Sequence, residues 1–142
     1  MYTRLDYSYG RPLEGRRLLV VEKIDCTWFL RFDAGVEVAT ESSWRLIQDR
    51  RILLTSEDHA QKFGLLEPVN AVEKMSSMLS AGKVQTVAIS ESTGDLVINF
   101  GENLQLQLLQ LSSGYESWRL STPAGETYCV GGGGITHFSR SR

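Results

Sequence analysis

Trp28-Phe29-Leu30-Arg31-Phe32-Asp33-Ala34-Gly35-Val36-Glu37-Val38 and Leu96-Val97-Ile98-Asn99-Phe100-Gly101-Glu102-Asn103-Leu104-Gln105-Leu106 state one pattern twice. At an offset of 68 residues, Trp28, Leu30, Phe32, Val36 and Val38 match Leu96, Ile98, Phe100, Leu104 and Leu106. Alternation with a period of two places these side chains on one face of a strand and their neighbours on the other. Each copy breaks at a short turn, Asp33-Ala34-Gly35 or Gly101-Glu102-Asn103, whose glycines tolerate positive φ. Downstream of each comes Ser-Trp-Arg-Leu, at Ser43-Trp44-Arg45-Leu46 and again at Ser117-Trp118-Arg119-Leu120. The repeat predicts two pseudo-repeated β-meanders.

Working outward, Leu18 to Ile24 reads as the strand before the first copy, with Trp44 to Ile47 and Ile52 to Thr55 completing the meander. The second meander comprises Val84 to Ser90, Leu96 to Phe100, Leu104 to Leu109 and Ser117 to Ser121, with Thr127 to Val130 after it. Between them, Ser56 to Gly64 suits a short helical turn capped by Ser56. Pro68 to Ser80 suits a full helix: Pro68 fits the first position, Val69, Val72, Met75 and Met78 or Leu79 recur at helical spacing, and Gly82 lies past the end. The expected fold is α+β, mostly antiparallel sheet, with one main helix over about 68–80 bridging the two meanders. Residues 1–142 read as a single domain. It comprises an irregular lead-in (1–14), the first meander (15–55), the helix (68–81), the second meander (82–130) and a Gly-rich turn with a tail that frays from Ser139 (131–142).

Composition excludes several classes. Apolar content of 42% and charged content of 23% are ordinary for a globular chain of 142 residues, which buries a core without a staple. No apolar run reaches the ~18 residues of a membrane span, and the N-terminus lacks a signal-peptide core. The expected setting is cytoplasmic. Net charge is −2, distributed as +2 over residues 1–31 and −4 over the rest. That balance argues against nucleic acid as partner, which calls for a dense basic face, and permits a basic protein partner.

A search for catalytic groups finds none. His59 and His137 have no metal-type spacing, Cys26 and Cys129 belong to no C-x-x-C pair, and no G-x-S-x-G elbow is present. No metal or cofactor is therefore expected. Cys129 and His137, eight residues apart, make a conceivable nucleophile pair, while a buried thiol and a loop histidine explain them equally simply. Gly131-Gly132-Gly133-Gly134 lacks the Lys-Ser/Thr and the following helix of a phosphate loop, so a turn is the simpler reading.

Tyr115-Glu116-Ser117-Trp118 is unusual because it sets a carboxylate between two large aromatics, right after Ser112-Ser113-Gly114. Strand alternation would put Glu116 and Trp118 on one face. Two readings of Glu116 stay open: a partner for Arg119, Arg45 or a loop amide, or a groove-lining anchor for a basic partner residue. The first copy has Ala39 to Ser43 between Val38 and Trp44; the second has the longer Gln107 to Ser117 before Trp118. That expansion delivers Tyr115 and Glu116.

The order Phe100 to Leu106, then Gly114-Tyr115-Glu116-Ser117-Trp118-Arg119-Leu120, then Gly125, Cys129 and the glycine run, resembles a family of small uncharacterised bacterial domains with a Tyr-Glu-x-Trp motif. Members occur among immunity proteins of contact-dependent or type VI toxin systems. The resemblance is best over 82–134, weaker over 15–55 and absent at the N-terminus. It implies an antitoxin that binds its cognate toxin stoichiometrically, with no reaction of its own. Against a basic nuclease, surface carboxylates would speed encounter and aromatics would anchor. The candidates are Tyr115, Glu116, Glu57, Asp58, Glu67 and Glu73. The rival reading is a small-molecule-binding module with its cleft between the two meanders. Oligomeric state stays open.

Overall fold

The alternation becomes strand pairing with the same register in both copies. The computed structural model describes residues 5, 6 and 8–140. In chain order the strands are β1 (Leu5–Asp6), β2 (Leu18–Ile24), β3 (Thr27–Phe32), β4 (Glu37–Thr40), β5 (Trp44–Gln48) and β6 (Arg51–Thr55). Helix α1 (Ala71–Leu79) precedes β7 (Thr86–Ser90), β8 (Leu96–Gly101), β9 (Leu104–Leu108), β10 (Trp118–Thr122), β11 (Gly125–Cys129) and β12 (Ile135–Ser139). They form two six-stranded antiparallel sheets, β1-β7-β8-β9-β5-β6 and β12-β11-β10-β4-β3-β2. The fold is thus mostly antiparallel sheet with one helix, built from two meanders, as the repeat predicts. Among the described residues, no helix is long and apolar enough to cross a membrane.

One arrangement goes beyond the expectation. Each sheet takes three strands from one copy and borrows the last strands of the other: β5 and β6 join β7-β8-β9, while β10, β11 and β12 join β2-β3-β4. The registers coincide. Leu30 of β3 and Leu120 of β10 both face Val38 of β4, as Ile98 of β8 and Leu46 of β5 both face Leu106 of β9. One step along, Trp28 and Trp118 flank Thr40, and Leu96 and Trp44 flank Leu108. None of these residues is more than 4% exposed. The cleft expected between the meanders is therefore filled by side chains, with Trp28 and Trp44 meeting edge to face across it at 5.0 Å.

Helix α1 closes one open side of this sandwich by packing against the edge strands β2 and β6. Ala71, Met75 and Leu79, four residues apart, form its buried stripe, while Glu73 and Lys74 face solvent. The helix is shorter than the predicted 68–80. Asn70 caps it by accepting from the Glu73 amide at 3.2 Å, so Pro68 lies outside the helix rather than at its first turn. Likewise helical structure in the 56–64 segment is limited to one short turn, Ser56–Asp58, capped by Thr55 instead of Ser56.

The termini also differ from the expectation. Within the predicted lead-in, β1 pairs with β7, and a short turn over Arg11–Leu13 buries Leu13 completely. At the other end, Ile135 to Ser139 pairs with β11, so the tail is a strand through Ser139 rather than frayed; residues 141 and 142 lie outside the described residues.

Because the copies share one register, the same truncation should cost the same in each. Leu46→Ala and Leu120→Ala should each lower the unfolding free energy by about 3 kcal/mol in urea titrations, with the two values within about 1 kcal/mol of each other.

Candidate functional site

Antiparallel order sends the connections β2–β3, β4–β5, β6–α1, β7–β8, β9–β10 and β11–β12 to one end of the sandwich. Side chains tie these loops together. Thr27 donates to Glu41 (3.1 Å), Ser43 to Glu57 (3.1 Å) and Ser42 to the Leu109 carbonyl (2.6 Å). The Trp118 indole N–H donates to the Gly94 carbonyl at 2.8 Å. His59 stands edge-on to Trp28 at 5.5 Å and accepts the Ala71 amide on Nδ1 at 3.1 Å, which anchors the start of α1 here and leaves its proton on Nε2.

This end is acidic. It holds Asp25, Glu41, Glu57, Asp58, Glu67, Glu73, Glu91, Asp95 and Glu116 against Lys23, Lys62 and Lys74. The opposite end, formed by the other set of turns, holds Arg11, Arg16, Arg17, Arg50, Arg51, Lys83 and Arg140 against Glu14, Asp33, Asp49 and Glu102. Charges mixed along the sequence are sorted by strand direction into two poles.

Loop 109–117 rises at the acidic end and is organised by Gln110. Its amide nitrogen donates to the carbonyls of Val130 (2.7 Å) and Tyr115 (3.0 Å), its carbonyl accepts the Ser112 amide (2.9 Å), and its own backbone amide donates to Asp95 (2.8 Å). The loop thereby holds Tyr115 out at 81% exposure. Beside it, Glu41 and Glu116 line two adjoining grooves. The smaller, about 230 Å³, lies on the outer face of the second sheet, between Phe29, Ala39, Arg119 and Tyr128.

The same face carries a ladder of charges across its strands. Arg31 bonds Glu22 (2.5 Å) and Glu37 (2.9 Å), Arg119 approaches Glu37 at 3.7 Å, and Arg140 bonds Glu126 at 3.2 Å. Glu22 and then Glu37 hold the Arg31 guanidinium above its ordinary value. The Tyr128 hydroxyl donates to Glu126, which holds that carboxyl below the carboxylate range, with Arg140 assisting, and raises the phenol of Tyr128 in turn.

The sequence candidates divide by role. Tyr115 and Glu116 flank the grooves, and Glu116 makes no hydrogen bond or ion pair among the described residues. Glu116 precedes β10 instead of sharing a strand face with Trp118, because Ser117 and Trp118 are both buried. Glu57, linked through Ser43, is exposed at the same end. Asp58 is committed to the backbone: it accepts the Thr55 amide at 2.9 Å in a capping box. Glu67 and Glu73 are exposed on the segment leading into α1 and on its first turn. Phe29 of β3, Glu41 of the β4–β5 link and Arg119 of β10 join Glu116 from segments that only the fold brings together.

Cys129 is fully buried on β11, where burial pushes its thiol up, partly opposed by Ser117 and Gln110. His137 bonds Thr127 instead, at 2.8 Å, so the two do not pair. The glycine run is a packed turn. A Cβ on Gly133, whose φ is +97°, would lie 2.4 Å from the Thr93 carbonyl, and one on Gly131 would lie 2.6 Å from Gly114 Cα.

The chain belongs to a family of unknown function, DUF6188, whose model matches residues 22–139. No curated protein and no solved structure matches it.

Two outcomes follow from this geometry. Gly133→Ala should destabilise the protein by about 3 kcal/mol in chemical denaturation, since it combines a left-handed φ with a backbone clash. The lowered Glu126 carboxyl contributes stability that is complete above the carboxylate range and lost as pH falls through its depressed value. Tyr128→Phe should move the Glu126 titration upward toward its ordinary value, read from side-chain carboxyl NMR.

Proposed function

We propose that this chain is an immunity protein that neutralises a cognate bacterial toxin by stoichiometric occlusion, presenting the acidic end of the sandwich to a basic protein such as a nuclease. The observation carrying this reading is the sorting of charge into one carboxylate-rich pole, where the expanded loop 109–117 holds an exposed tyrosine. Such a pole raises the local concentration of a cationic partner and orients its approach. An aromatic standing clear of the surface supplies the anchor that charge alone does not, because burying it on contact removes apolar area from water.

Glu41, Glu57 and Glu116 fit steering because each keeps carboxylate capacity toward solvent, unlike the capping Asp58. Glu67 and Glu73 extend the same field along the side of α1. Occlusion needs only a rigid surface, and the loop is held rigid by the Gln110 bonds and by the glycine turn packed under it.

Stopped-flow mixing with a toxin domain encoded by a gene adjoining this one tests the reading, and the absence of any such gene would count against it. Association should slow as ionic strength rises. Glu41→Gln combined with Glu57→Gln and Glu116→Gln should slow it about fivefold at low salt while leaving the melting temperature in place. Tyr115→Ala should instead speed dissociation, by about tenfold or more. An association rate indifferent to salt would refute the steering.

A further inference from the structure

The two sheets carry the same arginine in the same register and treat it differently. Arg45 on β5 and Arg119 on β10 each follow a buried tryptophan and lie on an outer face, Arg45 opposite Gln107 and Arg119 opposite Ala39. In the first sheet Arg45 Nε–H donates to Gln107 Oε1 at 2.7 Å, and Gln107 Nε2 donates onward to Gln105 Oε1 at 2.6 Å. At the repeat offset, Gln107 and Gln105 correspond to Ala39 and Glu37. Ala39 has no amide to offer. Arg119 Nε–H is consequently buried without a partner, and beside Ala39 the surface opens into the groove of about 230 Å³. Ser117, only 5% exposed, lines the same groove, with its hydroxyl engaged by the Cys129 thiol. Native chains rarely leave buried donors unpaired, and here the repeated copy shows which group would satisfy one.

We infer that the groove receives a carboxamide, the side chain of a glutamine or asparagine presented by the protein partner, in the place that Gln107 fills in the other sheet. Its carbonyl accepts from Arg119 Nε and its NH₂ donates to the carboxylates that line the groove, Glu41 and Glu116, so both ends of the amide are matched. Rotation of the half-exposed Arg119 side chain turns its N–H toward the entering carbonyl. Phe29 and Tyr128 flank the slot and keep water from the pair. A carboxylate in the same place would meet Glu41 and Glu116 and be repelled, and an ammonium offers nothing for Arg119 Nε–H to donate to. This inference rests on the protein-binding reading and specifies what the partner inserts beside the acidic pole.

The test uses the full chain with ¹⁵N-labelled arginine, and N-acetyl-glutamine methylamide as probe. Arg119 Nε–H should show a saturable shift and slower solvent exchange, Arg45 Nε–H should not move, and the N-acetyl-glutamate analogue should bind about tenfold more weakly. Ala39→Gln supplies the amide from within. It should raise the melting temperature by about 4 °C and abolish the response. A missing response at Arg119, an equal response to the glutamate analogue, or a response retained in Ala39→Gln overturns the inference. Should Ala39→Gln fail to fold, Arg119→Lys keeps the charge and removes the Nε–H; loss of probe shifts at the Phe29 and Tyr128 amides supports the inference, and their persistence overturns it. Salt-dependent toxin association with an affinity unchanged by Ala39→Gln would remove the amide site and leave the antitoxin reading standing. Probe binding at Arg119 with salt-insensitive association would do the reverse.

Discussion

The dry interface between the two sheets is the constraint on which everything else depends. Val38 and Leu106 sit at the centre of their sheets, each flanked by one leucine or isoleucine from its own copy and one leucine from the other. A one-residue slip on any of these strands would turn the inner row outward and lose its burial at once. Exchange of the last strands makes this stricter, since a slip in either copy disrupts both sheets. The short link from Thr40 through Glu41, Ser42 and Ser43 to Trp44 carries the chain from one sheet to the other, and its serines are consumed in holding that corner: Ser42 on Leu109 and Ser43 on Glu57.

Function is positioned by that constraint without taking part in it. Once register and strand direction are set, every other connection emerges at one end, and residues far apart in sequence become neighbours there. The consequences are the acidic pole and the groove beside Ala39. Both are built from outward-facing residues, which the core leaves free to vary. The two copies agree inside, in the rows around Val38 and Leu106, and differ outside, in Ala39 against Gln107 and in the length of the loop before the tryptophan. A duplicated scaffold can carry unequal surfaces, because an outward position can lack an internal partner such as the Gln107 amide, as Ala39 does, without loss of packing.

Local signals predicted local structure well. The alternation in both repeats, the turns at Asp33-Ala34-Gly35 and Gly101-Glu102-Asn103, and the helix through Met75 all correspond to elements of the fold. Boundaries moved where a side-chain cap competed with a backbone preference: Asn70 displaced Pro68 as the start of α1, and Thr55 displaced Ser56. Leu5–Asp6 was illegible as a sheet member because an edge strand draws its stability from a partner distant in sequence, here β7. Tyr115 and Glu116 were visible as an oddity of composition, whereas Asp58 looked like a surface acid until its bond to the Thr55 amide showed it to be a cap.

By itself the sequence determined the dry faces, the turn positions and the duplication, because periodicity and turn chemistry act over a few residues and need no distant partner. Tertiary structure alone decided that the copies exchange strands, that carboxylates scattered along the chain gather at one pole, and that Arg119 lacks the amide its counterpart Arg45 enjoys. Those are properties of pairing between segments some seventy residues apart, and pairing is settled by the burial of whole sheets against each other rather than by any local pattern.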